Sequence, residues 1–518
     1  MLSPPAATSS SIEVTSTAKL LKVPDVKDHD HQIHNDDPLF SSEFDDAQSS
    51  DDSEDPQEYR RGGYHWVRVG DVYNDRYLIH RKLGWGQFST VWLATDLSVA
   101  YDSPNKVVAL KIMKSAAEYI EAAQDEMDLL RVIAKAEDGP GKRNIVQMLD
   151  TFDLYGPHGT HLCISLELMG RSLLSYLRST DKGLPLKTVK RLSYQMAMGI
   201  HYLHTVCHIV HTDIKPENFL LTRRHPADAK ALEKATLKHL ETLKGKRVRY
   251  DKRPSVTSLK PRLNVEKKGE DRSIAGSSTT DEKSRSASAE DLILGSGGMP
   301  LRLPSLEKQT STSTVKSTLT VNCEEAEIKI CDFGNSCIED QMYSRVISTR
   351  QYRSPEVILG CDICAKTDMW SLGCLIYELL TGDYLFDPEH EETSRVPRDE
   401  SHLQLMMESL GEIPQSMLDE GKSTNEFFDK GGQLRHTKVN GFWGIELMLH
   451  RRYGMEENDA KASAEVLHGL LKYNPRERWS AANLIKSEWL QQLHCATTCQ
   501  WGGISTIHDE ANDFGSKA

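Results

Sequence analysis

The chain has 518 residues, 38% hydrophobic and 27% charged, with 76 Asp or Glu against 63 Lys or Arg and a net charge of −13. That length allows one large bilobal domain or two to three average ones, and the polarity rules out one continuous core. An acidic chain suits a cationic partner and argues against duplex nucleic acid as the ligand. The charge is uneven. Residues 25–58 hold thirteen acids against a single Lys, whereas 223–322 hold 21 bases against 12 acids, which leaves about −22 on everything outside that basic stretch. The ten cysteines form no disulfide-like framework. Neither Cys361/Cys364 nor Cys495/Cys499 has a second ligand pair beside it, so free thiols are expected rather than zinc. With no signal pattern and no apolar run of membrane-spanning length, a cytosolic or nuclear protein without membrane association is expected.

In chain order, residues 1–61 are rich in Ser, Asp, Pro and Thr, carry little apolar periodicity and read as disordered. Order is expected from Gly62-Gly63-Tyr64-His65. Segments 77–83 and 90–94 read as strands flanking a tight turn, and 107–112 as a third strand. Ile120, Ala123, Met127, Leu130 and Ala134 recur at helical spacing. Strands are predicted again at 144–152 and 161–168. From Leu174 helices dominate, with Val189, Leu192, Met196, Ile200 and Leu203 in a three-four rhythm. Residues 222–324 break the pattern. A helix is conceivable over 227–243, but 244–320 has no period and is expected to be disordered or functional rather than packed. A strand resumes at 326–330, and 368–380, apolar almost all round, is expected to be a buried helix. Strands first and helices after indicate an α+β chain with two lobes.

Four motifs stand in register. Leu83-Gly84-Trp85-Gly86-Gln87-Phe88-Ser89-Thr90-Val91 joins the first two strands, and its glycines let backbone N–H groups approach phosphates. Alone it would be an ordinary hairpin. Val108-Ala109-Leu110-Lys111 follows, and Glu126 lies fifteen residues further along the predicted helix. Then come His211-Thr212-Asp213-Ile214-Lys215-Pro216-Glu217-Asn218 and Asp332-Phe333-Gly334, with Asn218 and Asp332 114 positions apart.

Together these resemble the eukaryotic protein kinases over about 62–221 and 325–493. The resemblance implies a bilobal kinase fold, with a small mainly β lobe and a large mainly α lobe, that binds ATP and Mg2+. Lys111 would hold the α- and β-phosphates and pair with Glu126; Asp213 would act as catalytic base, and Lys215 would neutralise charge on the transferring phosphoryl group. Asn218 and Asp332 would be the metal ligands. Residues 83–91, Ala109, Glu167 and Met169 would line the nucleotide site. Arg478 would form a buried ion pair with Glu356. Thr212 stands where many kinases place an Arg that clamps a phosphorylated activation loop, which implies activity without that phosphate.

Gly63-Tyr64-His65, Asp-Phe-Gly-Asn-Ser-Cys (332–337), Thr-Arg-Gln-Tyr-Arg-Ser (349–354) and Thr-Gly-Asp-Tyr-Leu-Phe (381–386) resemble the SR-protein kinases. These carry a long spacer inside the kinase core and phosphorylate serines of Arg/Ser-rich splicing factors. Phe333, Pro355 and residues 403–411 depart toward the LAMMER kinases, which also read Arg-Ser proteins. The implied organisation is an acidic tail (1–61), a first kinase part (62–221), a disordered basic spacer (222–324), a second kinase part (325–493) and a C-terminal tail (494–518). Asp383 and Glu408 match acidic docking positions, while Ser401 replaces an expected acid, which puts tight docking in doubt. The spacer's basic excess, including Lys244–Arg249, suits the enzyme's own acidic groove, a cytoplasmic retention partner, an import factor, or simply a solvated linker. The resemblance implies a monomer in cytoplasm and nucleus. A non-catalytic scaffold binding basic segments and a proline-directed kinase are the rival readings.

Overall fold

The computed structural model describes residues 54–100, 103–180, 182–222, 327–341, 346–388 and 396–495. The expectations for 1–53 and for nearly all of the spacer lie outside these residues.

The small lobe is a six-stranded antiparallel sheet in the order β1-β2-β3-β4-β6-β5. Its strands are β1 Val72–Tyr73, β2 Tyr77–Gly86, β3 Ser89–Asp96, β4 Val107–Met113, β5 Met148–Gly156 and β6 Gly159–Glu167. One helix, α1 (Ala117–Lys135), lies between β4 and β5. Tyr77, Ile79, Val108, Leu110, Ile112 and Cys163 pack on one another inside the lobe, the alternate positions of strands buried on one face.

Two differences from the expected strands have a local cause. β2 continues through Gly84, Trp85 and Gly86, which pair with Val91, Thr90 and Ser89. Glycine backbone accepts the strand, so the predicted loop is a hairpin tip around Gln87 and Phe88. Conversely, 144–147 is not in the sheet. Ile145 bridges Ile330 and the Val146 amide donates to the Ile330 carbonyl, so this segment stitches the sheet to the strand preceding Asp332.

The large lobe contains α2 (Leu173–Arg178), α3 (Leu186–Tyr202), α4 (Pro355–Leu359), α5 (Lys366–Thr381), α6 (Arg398–Leu410), α7 (Gln415–Glu420), α8 (Thr424–Phe427), α9 (Ile445–Leu447), α10 (Glu457–Leu470), α11 (Ala481–Ile485) and α12 (Glu488–Cys495). Its small ribbons pair β7 (Ile209–Val210) with β10 (Cys337–Ile338) and β8 (Phe219–Leu221) with β9 (Ile328–Ile330). In α5 every residue after Lys366 is buried, as its all-round apolar pattern requires. Among the described residues no helix is long and apolar enough to cross a membrane.

Order also starts earlier than expected. Glu54 to Arg61, assigned to the disordered tail, lies against the small lobe. A short turn of helix forms at Pro56–Glu58, capped by the Asp55 carboxylate accepting from the Gln57 amide. Glu54 is buried against Tyr59 and Lys82, contacts that composition cannot reveal.

The insertion leaves the core intact. β8 and β9 are antiparallel neighbours, and the Thr222 amide donates to the Glu327 carbonyl at 2.7 Å. The two ends of the gap, Thr222 and Glu327, therefore meet at a strand junction.

Candidate active site

Lys111 sits in β4 opposite Val91 and Ile164. Its ammonium donates to both Glu126 oxygens at 2.8 Å and approaches Asp332 Oδ1 at 3.4 Å. Glu126 is buried on α1, so the helix is held inward. Burial disfavours the charged Lys111, yet the Glu126 and Asp332 carboxylates outweigh it and hold the proton well above the ordinary lysine range. Asp332 is a non-glycine residue in the left-handed region, φ 64°, a conformation tolerated where the surroundings impose it. The Lys111 ammonium beside it, opposed by burial, keeps its carboxyl below the usual range. Phe333 is buried against His211, ring centres 5.3 Å apart, and His211 Nε2 donates to the Cys331 carbonyl at 3.1 Å. The Cys331 thiol is pushed up by burial and by Asp332, which favours its protonated form.

The catalytic loop is held from three sides. The Asp213 carboxylate accepts from the Thr349 hydroxyl at 2.7 Å, lies 3.2 Å from the Lys215 ammonium, and accepts from Asn218 Nδ2 at 3.2 Å. Burial raises the acid's pKa, but Lys215 and then Thr349 outweigh it, so Asp213 stays a carboxylate. Asn218 also donates to the Asp213 carbonyl at 2.8 Å. With its amide nitrogen engaged, its oxygen is left for a hard cation.

Sequence reasoning missed two residues here. Asp368, on α5, accepts from the His211 and Thr212 amides and from His204 Nε2, each at 2.8 Å. An acid near the start of a mostly apolar helix was the available signal. Thr349 bridges Lys215 and Asp213; its string 349–354 was noted for the family resemblance, but nothing in it marked this contact.

The comparisons with known proteins agree with this geometry. Residues 77–232 and 317–490 match the protein kinase domain. The chain is 33% identical to human SRSF protein kinase 3, covering 85% of this chain and 90% of that one. It is 34% identical to serine/threonine-protein kinase SRPK of Physarum polycephalum, covering 85% and 92%, and 32% identical to protein kinase dsk1 of Schizosaccharomyces pombe, covering 85% of each. The chain belongs to the SR-protein kinase family. It is a serine/threonine protein kinase, with the bilobal α+β fold expected.

The residues of this kinase fit a nucleotide with its metal. An added Cβ at Gly84 or Gly86 would meet nothing within 4 Å, so that side of the hairpin is open. The donor set of Asn218 and Asp332 is all oxygen, as Mg2+ requires. The Glu167 side chain is turned away from the nucleotide site. Its carboxylate accepts from the Lys329 ammonium at 2.6 Å and the Gln147 amide at 2.8 Å, so it ties the two lobes and leaves only its backbone to the nucleotide. Met169 is buried beside it, and Ala109 pairs with Leu93 and Leu166.

The described parts of the kinase's activation segment (332–356) make direct hydrogen bonds to Thr212 and to one another. The Thr212 hydroxyl donates to the Asn335 carbonyl and Ser348 Oγ to the Thr212 carbonyl, both at 2.7 Å. Arg353 Nη2 donates to the Ser348 carbonyl at 2.9 Å. The expected Arg478–Glu356 pair is present, bidentate at 2.6 and 2.8 Å and inaccessible to water.

The two docking candidates part company. Asp383 presents a half-exposed carboxylate that accepts from Tyr453 at 2.7 Å and faces Arg452 at 3.5 Å. Glu408 is buried, contrary to a surface docking role. Its carboxylate accepts from Gln404 Nε2 at 2.9 Å and the Asn440 amide at 3.0 Å, because the loop after residue 437 needs those acceptors. Among the described residues no cysteine-containing or other metal cluster is present, and the described cysteines are free.

Proposed function

We propose that this kinase transfers the γ-phosphoryl group of ATP, with Mg2+, to serines in Arg/Ser-rich segments of splicing factors, and so acts on mRNA splicing. The observation that carries the chemistry is the joining of Asp213, Lys215 and Thr349 in one hydrogen-bonded set beside Asn218. Asp213, ionised, orients the serine hydroxyl and takes its proton. Lys215 offsets charge on the transferring group, while Lys111, fixed by Glu126, holds the phosphates. Bound Mg2+, held by Asn218 and Asp332, would supply charge neutralisation across the phosphate oxygens.

The substrate class is supported by the names of the relatives, by the body charge of about −22 outside the basic stretch, and by the half-exposed carboxylate of Asp383, which already faces one guanidinium, that of Arg452. Guanidinium groups seek carboxylates in paired geometry. With Glu408 turned inward and Ser401 uncharged, docking rests on fewer acids than the family resemblance implies, which favours a looser hold on the substrate. The direct contacts of Thr212 and Arg353 support activity without activation-segment phosphorylation. The kinase is proposed to work as a monomer in cytoplasm and nucleus, the spacer setting location through a retention or import partner.

Phosphorylation of an Arg-Ser repeat peptide, compared with Lys-Ser and Ser-Pro peptides, tests the substrate class. A preference for Arg-Ser is expected, and equal rates on all three would overturn it.

A further inference from the structure

Two parts of the nucleotide site, the glycine hairpin and α1, are tied to the segment that precedes the small-lobe sheet. Tyr64, only 2% exposed, donates its hydroxyl to the carbonyl of Gly86 at 2.7 Å. Two residues earlier, the carbonyl of Gly62 accepts the Ala116 amide at 2.9 Å, and the carbonyl of Gly63 accepts the Ser115 amide at 3.2 Å. Those amides lead directly into α1, whose start has no side-chain cap, and α1 carries Glu126. One segment therefore holds the hairpin over the phosphates and the helix that positions Lys111.

The holding is built, not incidental. The Lys114 ammonium lies 4.4 Å from the centre of the Tyr64 ring and donates to Glu58 at 2.9 Å, clamping the ring between a cation and its own segment. A Cβ on Gly63 would come within 1.8 Å of the Glu58 carbonyl oxygen, so only glycine permits the turn that delivers Tyr64. His158 Nδ1 donates to the Tyr64 carbonyl at 2.9 Å, fixing the backbone from the β5–β6 turn. Gly84 and Gly86 meet nothing where a Cβ would be, while the tip of the hairpin is held by Phe88, whose ring centre lies 5.7 Å from that of Tyr119 in α1 and whose carbonyl accepts the Lys114 amide at 2.9 Å. On the glycine side of the hairpin the Tyr64 hydroxyl, well anchored itself, therefore has leverage over where the backbone rests.

We propose that Tyr64 is a positioning residue for phosphate transfer: its hydroxyl sets the height of the glycine hairpin over the nucleotide, and its segment couples the hairpin to α1. The proposal rests on the ATP-dependent reading above. The test uses the full chain carrying Tyr64→Phe, which keeps the ring, its burial and the Lys114 contact and removes one hydrogen bond. The dissociation constants of ATP and ADP are measured with KM and kcat for ATP and for a protein substrate, beside thermal unfolding. Nucleotide affinity and KM for ATP are expected to weaken about fivefold, the factor one net hydrogen bond carries, with KM for the protein substrate unchanged. A merely structural tyrosine would lower the unfolding temperature and leave nucleotide affinity at the wild-type value, and that result overturns the proposal. Gly63→Ala provides a second reading, because displacing the whole segment should weaken nucleotide binding more than Tyr64→Phe does; equal or smaller loss also counts against it. If the wild-type chain binds no ATP, the ATP-dependent reading falls and this proposal with it; if it does and both variants match it, only Tyr64's role falls.

Discussion

The Asp368 carboxylate at the start of α5 accepts the Thr212 amide at 2.8 Å, across 156 residues of sequence. The same side chain takes the His211 amide and His204, so one buried acid orients the peptide units that aim Asp213. Thr212 is held there with φ at 66°, a strained value for a β-branched residue. Asp368→Asn keeps the shape but replaces a doubly accepting carboxylate. We expect kcat to fall by about ten- to a hundredfold, in line with loss of one or two charge-assisted hydrogen bonds, with KM for ATP little changed. Steady-state kinetics check this; an unaltered kcat would refute it.

The Arg478–Glu356 pair is sealed from water, and Arg478 also donates to the carbonyls of Lys472, Lys366 and Tyr473. Removing one partner strands a buried charge, which costs about 3–5 kcal/mol. Glu356→Gln and Arg478→Met are each expected to lower the free energy of unfolding by that amount, read from the denaturant midpoint and slope. The double substitution should cost less than the sum of the two, because it leaves no lone charge. Additive losses in equilibrium unfolding would show that the pair is not coupled.

Glu378 carries a proton into the neutral range. Burial pushes its carboxyl up to about 7 and the Glu217 charge adds to this, while the Tyr352 hydroxyl, 2.6 Å away, and Arg178 oppose it. An unfolded glutamate titrates near about 4.3. Between those values the folded chain binds more protons than the unfolded one, so stability from this group is full at low pH and is lost as pH rises toward and through 7. Glu378→Gln, which cannot ionise, should remove that part of the decline. Urea midpoints of the two proteins at pH 5 and pH 8 measure it, and parallel declines would disprove it.

Asp383 and Glu408 give opposite expectations. Asp383→Asn leaves the fold alone and should raise KM for an Arg-Ser peptide several-fold at low salt, the effect shrinking as salt screens it. Glu408→Gln should instead act on stability, by about 1–3 kcal/mol, since its carboxylate serves Gln404 and Asn440. A KM change confined to Glu408→Gln would reverse this assignment.

Much of the site was legible because kinase chemistry demands rare residue types in tight local order. The residues from His211 to Asn218 turn over a short span, and the Lys111–Glu126 pairing follows from a strand, a helix and the length between them. Glu408 was misread for a different reason: an acid on a helix looks the same whether it faces solvent or a returning loop. Glu54 to Arg61 were misread because their acids and polar residues match a disordered composition, while the burial of Glu54 and the anchoring of Glu58 depend on Lys82 and Lys114, which lie further along the chain.

The sequence by itself determined the reaction and the family, since the catalytic groups carry their chemistry in their identity and short-range spacing. Only the tertiary structure decided how the 114-residue separation of Asn218 and Asp332 is reconciled with one site, through the β8–β9 junction that returns the chain to its starting point. It alone also decided which acids face solvent and which brace the fold. Those outcomes depend on contacts between distant segments, where burial and hydrogen-bond satisfaction rather than local pattern choose the partner.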